Sequence, residues 1–331
     1  MRIVALEEHY LDPEIAAASA PLARELSPHF AATYDPGTGL PYSPPSQVLR
    51  DLGEGRLADM DANGISMQVL SCLSTQQVPA NVAVDLVRNT NNRAAGAVRE
   101  HPGRFAAFAA LPTTVPGAAA AELDRCVGDL GFVGTLIMGR TGGEFLDAPA
   151  FDPILARAAA LGVPIYLHPG VPPRQISDVS YAGGLPPLVT ARLQTTAWGW
   201  HQETAVHFLH MVLSGVFDRY PELQIILGHW GEMIPFYLDR IGEALPRAVT
   251  KLDRTFPDYF RQNVYITPSG MFSQAQLQYC AETIAIDRIL FSVDYPFLGN
   301  DGAAAFLQQA KLPEQSKRKI AHQNSERLLR L

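Results

Sequence analysis

The chain has 331 residues, 47% of them hydrophobic, and a formal net charge of −7, enough apolar material to bury about three quarters of the unfolded surface. Lys and Arg are scattered rather than clustered, which argues against a nucleic-acid or anionic-membrane surface and leaves a small neutral or acidic ligand as the expected partner. The odd, widely spaced set Cys72, Cys126 and Cys280 argues against a disulfide framework, and neither a basic-then-apolar leader nor a membrane-length apolar run is present, so a cytoplasmic protein is expected.

In chain order, short aliphatic or β-branched runs recur at residues 2–6, 66–70, 105–111, 134–138, 164–167, 223–227, 263–267 and 288–292. The stretches between them carry helical periodicity, as in Leu123, Val127 and Leu130, or Val206, Leu209, Leu213, Val216 and Phe217. Several runs are continuously apolar, as in a parallel sheet covered on both faces. Eight βα units predict an α/β fold, a (β/α)8 TIM barrel, with residues 1–331 as a single domain. A doubly wound open sheet is the alternative, but no Gly-x-Gly-x-x-Gly follows the first strand. Two Pro-rich connections, residues 10–46 after strand one and 169–201 after strand five, are too long to be simple links and read as functional loops at the barrel mouth. Residues 313–331 predict a closing C-terminal helix.

Polar residues end several of the apolar strands: Glu7 and His9 strand one, His168 strand five, His229 strand six and Asp294 strand eight. In a barrel these ends converge on one rim, and period-two alternation sends Glu7 and His9 one way and Glu8 the other. Two imidazoles and two carboxylates suit Zn²⁺, Mn²⁺ or Fe²⁺, with a third imidazole left for acid–base work. A competing cluster, Glu203, His207 and His210 in "HQETAVHFLH", has helical spacing, but the same helix needs Val206, Leu209 and Leu213 for packing. Its histidines therefore read as partly solvated flanks. His29, His101 and His322 read as solvated, and Trp198, Trp200 and Trp230 as mouth or wall residues.

The segments "ALEEH", "FAALP", "GFVGTLI", "VPIYLHP", "AWGWHQETAVH", "SGVFDRYPELQIILGHWGE" and "ILFSVDYPF" resemble the metal-dependent, O₂-independent aromatic acid decarboxylases of the amidohydrolase superfamily. The likeness is to the γ-resorcylate and 2,3-dihydroxybenzoate decarboxylases, with aminocarboxymuconate semialdehyde decarboxylase as a more distant cousin. The resemblance implies one divalent metal ion, Zn²⁺ or Mn²⁺, bound by Glu7, His9, His168 and Asp294, and no organic cofactor. Asp294, His229 and Glu232 would be catalytic, Glu232 orienting His229. Arg240, in "FYLDRI", resembles an arginine that in relatives binds substrate across a subunit interface, implying a homodimer or homotetramer.

The expected substrate is a small aromatic carboxylic acid with an ortho hydroxyl, which could chelate the metal through two oxygens. Proton delivery by Asp294, assisted by His229, would release CO₂, and the reaction would be reversible. The chain departs from the family where Met138-Gly139-Arg140 replaces an Asn-Gly pair and where Val293 and Leu298 replace Thr and Glu. Met138, inward by alternation from Leu136, should face an apolar ring edge, and Arg140 a polar group nearer the rim; Trp198 completes the expected substrate contacts. A metal-dependent hydrolase or lactonase, or an oxo-acid hydratase of the same superfamily, is the competing reading.

Overall fold

A computed structural model describes residues 1–26, 28 and 44–331. The β-branched and aliphatic runs form parallel strands: β1 (Val4–Tyr10), β2 (Met67–Cys72), β3 (Phe105–Ala107), β4 (Thr135–Met138), β5 (Ile165–His168), β6 (Ile225–Leu227) and β7 (Val264–Ile266). They are ordered β1-β2-β3 and β4-β5-β6-β7. A bridge from Ala109 to Thr135 joins the two groups, and a second from Ile266 to Ile289 adds the predicted eighth run. The Leu6 N–H donates to Phe291 O at 2.9 Å, which brings that run back to β1. The ring is closed, and a closed parallel ring flanked by helices is the TIM barrel.

Two apolar cores follow from this geometry. The inner one fills the barrel with Val4, Leu6, Met67, Val69, Phe108, Leu136, Tyr166, Ile226, Tyr265 and Leu290, among others, and Leu329 of the C-terminal helical segment joins it. The outer one lies between strands and helices, where Ala80–Glu100 buries Ala83, Val87, Ala94 and Ala97 along one face. The first long connection is not all loop, since Pro13–Leu26 is helical; His29, Pro36 and Pro41 lie outside the described residues. The helix Gly199–Leu213 buries Thr204, His207, Phe208, Met211 and Val212. Leu213 is 38% exposed, so the expected Val206-Leu209-Leu213 stripe is rotated, and His207 is buried rather than a solvated flank.

Candidate metal centre

Along β1, Val4 and Leu6 face the barrel interior and Ala5 the helix layer. Strict alternation would carry Glu8 inward and Glu7 outward. An extra residue on β1 changes the phase: pairing runs from Ala5↔Gln68 to Glu8↔Leu70, three steps on β1 against two on β2. The bulge is at Glu7, whose φ of 71° lies in the left-handed region. Beyond it, Glu7 and His9 both reach the barrel mouth. On β5, His168 pairs with Met138 of β4. The strand ends touch just beyond, where Gly139 (φ 64°) and Gly170 approach so closely that a Cβ on Gly139 would lie 2.7 Å from Gly170 Cα.

Ligand atoms of Glu7, His9, His168 and Asp294 all lie within 4.8 Å of one another. His9 Nε2 is 3.1 Å from both His168 Nε2 and Asp294 Oδ1, and His168 Nε2 is 3.3 Å from Glu7 Oε1. The outer bonds aim these atoms. His168 Nδ1–H donates to Pro169 O at 2.8 Å, which leaves the Nε2 lone pair facing the cluster, and His9 Nδ1 is 2.9 Å from Ser71 Oγ. Glu7 Oε2 accepts from the hydroxyls of Tyr166 and Ser269, whereas Glu7 Oε1 is buried with no hydrogen-bond donor. A lone-pair imidazole nitrogen beside a donorless buried carboxylate oxygen fits a divalent cation, and the N/O donor set suits Zn²⁺ or Mn²⁺.

The charges are poised to match. Burial alone raises the Glu7 carboxyl, but the His229, His168 and His9 imidazoles outweigh it and hold the group below the ordinary carboxylate range. Burial, with Glu7, Glu8 and Glu232 nearby, pushes Asp294 well above that range. Burial and the His168 imidazole push His9 well below the usual value. The two carboxyls of the cluster are thus pushed in opposite directions.

His229 is presented by an unusual turn. Residues 229–233 all have positive φ, from 47° at His229 to 78° at Gly231, a left-handed winding that costs L-residues energy and persists only where surroundings enforce it. It brings Glu232 Oε1 within 2.8 Å of His229 Nδ1. The other oxygen, Oε2, is 2.8 Å from His201 Nδ1. Burial works against charge on both His229 and Glu232, yet each sustains the other: the imidazole is raised by Glu232 and Glu7, and the carboxyl lowered by His229 and His201. A buried carboxylate therefore holds two imidazoles at the edge of the cluster.

His9, His168 and Asp294 of the cluster line a cavity of about 590 Å³, whose other walls include Leu11, Leu49, Leu73, Met138, Met271 and Phe297. Residues 49–331 match the amidohydrolase family. The chain belongs to that family. Among curated relatives of this amidohydrolase, the decarboxylase orsB of Emericella nidulans is 36% identical over 99% of this chain and 97% of the relative. The gamma-resorcylate decarboxylase of Rhizobium sp. (strain MTP-10005) is 38% identical over 99% and 98%. Among solved structures, a dihydroxybenzoic acid decarboxylase from Polaromonas sp. JS666, with bound manganese and the inhibitor 2-nitroresorcinol, matches with a TM-score of 0.85 at 34% identity, over 100% of this chain and 97% of that one.

Of the residues singled out from the amidohydrolase sequence, Glu7, His9, His168 and Asp294 come together, with His229 beside them, Glu232 behind it and Met138 in the cavity wall. Three others stand elsewhere. Arg140 is turned away from the cavity: it pairs with Glu203, donates to Gly143 O and covers the Phe145 ring at 3.7 Å, so no charge is left for a ligand near the rim. Trp198 is 47% exposed and donates its indole N–H to Gln202. The helix starts at Gly199, and Trp200 takes the wall position instead. Arg240 is exposed on the outer helix Ile234–Ala244, near Glu243. His201 lines the cavity and was missed; its only sequence signal is its place in "AWGWHQETAVH".

Proposed function

We propose that this amidohydrolase is a carboxy-lyase that removes CO₂ from an ortho-hydroxybenzoate-type acid, reversibly and with neither O₂ nor an organic cofactor. The observation that carries the reading is a metal-ligand cluster in the wall of a mostly apolar cavity of about 590 Å³, room for one substituted ring, with His201 and His229 among its polar groups. Among the described residues, no Lys or Arg lines it. Relatives alike over their full length are named for decarboxylating small aromatic acids.

Glu7, His9, His168 and Asp294 would hold the cation, Zn²⁺ or Mn²⁺, which when bound supplies Lewis-acid polarisation of a carboxylate oxygen and the adjacent hydroxyl. The remaining work falls to the chain. Leu73, Met138 and Phe297 would hold the ring and exclude water. Asp294 would carry a proton to the ring carbon that bears the carboxylate. Breakage of the C–C bond then returns its electron pair to the ring, restoring aromaticity, and CO₂ leaves. His229, whose imidazole Glu232 and Glu7 raise against the opposing effect of burial, would assist that proton movement.

Arg240, exposed on its helix, would serve only a neighbouring copy, in a homodimer or homotetramer. A cytoplasmic setting is supported by three buried free thiols, and no helix among the described residues is long and apolar enough to cross a membrane.

The test is metal analysis of the purified protein together with CO₂ release from 2-hydroxybenzoate and 2,6-dihydroxybenzoate, against benzoate and 3-hydroxybenzoate. Only acids with an ortho hydroxyl should turn over. Equal rates without that hydroxyl, or hydrolysis of a lactone or hydration of an oxo-acid with no CO₂ formed, would overturn the reading.

A further inference from the structure

Glu8 and Arg56 are both fully buried, yet neither lines the cavity nor belongs to the ligand cluster. Burying two ionisable side chains is poor value for stability alone, since desolvation offsets most of any attraction between them. Their hydrogen bonds show another use. Glu8 Oε1 accepts the Val293 N–H at 3.0 Å and Oε2 the Tyr295 N–H at 3.3 Å, so one carboxylate grips the backbone on both sides of Asp294. Asp294 itself has a φ of 69°, a left-handed conformation that an Asp holds only when its surroundings enforce it.

Arg56 secures the other end of the grip. Its Nη2 donates to His9 O at 2.5 Å, its Nη1 to Gln68 Oε1 at 3.1 Å and its Nε to Asp51 O at 2.8 Å. Gln68 donates on to Glu8 Oε2 at 3.4 Å, and the guanidinium lies 4.8 Å over the Tyr295 ring. The His9 N–H also donates to Tyr295 O at 2.6 Å. The backbones carrying Glu7, His9 and Asp294 are thereby tied together from outside the barrel mouth.

We infer that Glu8 and Arg56 form a brace that sets the position of Asp294 relative to Glu7 and His9, and so the affinity of the cation site and the aim of the Asp294 proton. They are positioning residues with no contact to substrate. The inference rests on Glu7, His9, His168 and Asp294 as the cation-holding set. Glu8→Gln keeps the volume but presents an NH₂ where one backbone N–H must be accepted, releasing one side of Asp294. Arg56→Lys keeps the charge but cannot span His9, Gln68 and Asp51 together.

The experiment measures Mn²⁺ binding by calorimetry and paramagnetic resonance on the full chain, with kcat, KM and melting temperature for each variant. Asn263→Ala serves as a control, because Asn263 ties Pro221 and Leu223 and contacts none of the cluster. Glu8→Gln is expected to bind Mn²⁺ roughly 10- to 100-fold more weakly, with an altered resonance spectrum and a fall in kcat larger than any change in KM. Asn263→Ala should lose melting temperature alone. Wild-type Mn²⁺ affinity and spectrum in Glu8→Gln would overturn the brace, and so would equal weakening in the control. If Glu8→Gln yields no folded protein, Arg56→Lys is judged by the same criteria. A wild-type chain that binds no divalent cation would instead overturn the ligand assignment.

Discussion

Met138 offers the sharpest test of which ring the cavity accepts. Its side chain lines the cavity, it pairs in register with His168, and its sulfur accepts the Ser74 N–H at 3.4 Å. The thioether is thus held beside a proposed metal ligand and offers no strong hydrogen bond to a second ring hydroxyl there. Such a hydroxyl, buried without a good partner, costs about 1 to 3 kcal/mol. Met138→Asn supplies a donor and an acceptor at that edge. It also loses apolar contact, but that loss falls on both substrates and cancels in a ratio. The kcat/KM for 2,6-dihydroxybenzoate relative to 2-hydroxybenzoate should therefore rise by roughly 5- to 150-fold. The assay is initial-rate CO₂ release for the two acids with wild type and variant in the same metal-loaded buffer. An unchanged ratio would mean that Met138 does not read the ring and is only barrel packing.

Asp294→Asn should abolish turnover while leaving the melting temperature within a few degrees, because the amide keeps the volume but carries no transferable proton; substantial activity with metal bound would remove Asp294 from proton delivery. His207 makes stability fall with acid. Burial, aided by Arg140 and His210, pushes it down to about 3, so below its unfolded value of about 6.5 only the unfolded chain takes up the proton, and stability drops as pH falls from 6.5 toward 3. By pH 4.5 the loss from this residue should reach about 3 kcal/mol, seen as a lower urea midpoint; His207→Gln losing as much over the same interval would refute the assignment.

Much of the barrel was readable because each strand is a short apolar run, and polar ends on strands one, five and eight supply the four residues that come together, with His229 of strand six beside them. What was not readable depends on contacts distant in sequence or on backbone irregularity. Alternation pairs Glu7 with His9, but no pattern reveals that the extra residue at Glu7 resets the phase set by Val4 and Leu6. Arg140 looked available to a ligand because Glu203 is 63 positions away. His201 passed unnoticed because its partner, Glu232, comes 31 residues later on a left-handed turn. Trp200 keeps its expected wall position while Trp198 turns outward, because the helix begins between them at Gly199.

The donorless oxygen of Glu7 reaches beyond catalysis. A buried acceptor without a partner burdens the folded chain, and a cation relieves it, so folding and metal loading draw on one equilibrium. At a hundred times its dissociation constant, a metal that ignores the unfolded chain adds about 2.7 kcal/mol, to be read as a melting temperature that climbs with metal concentration. Differences of that size change cellular abundance several-fold through proteolysis of the opened chain. A cell short of the cation would then lose copies of the enzyme as well as their activity, and its metal supply would set how much of the protein survives.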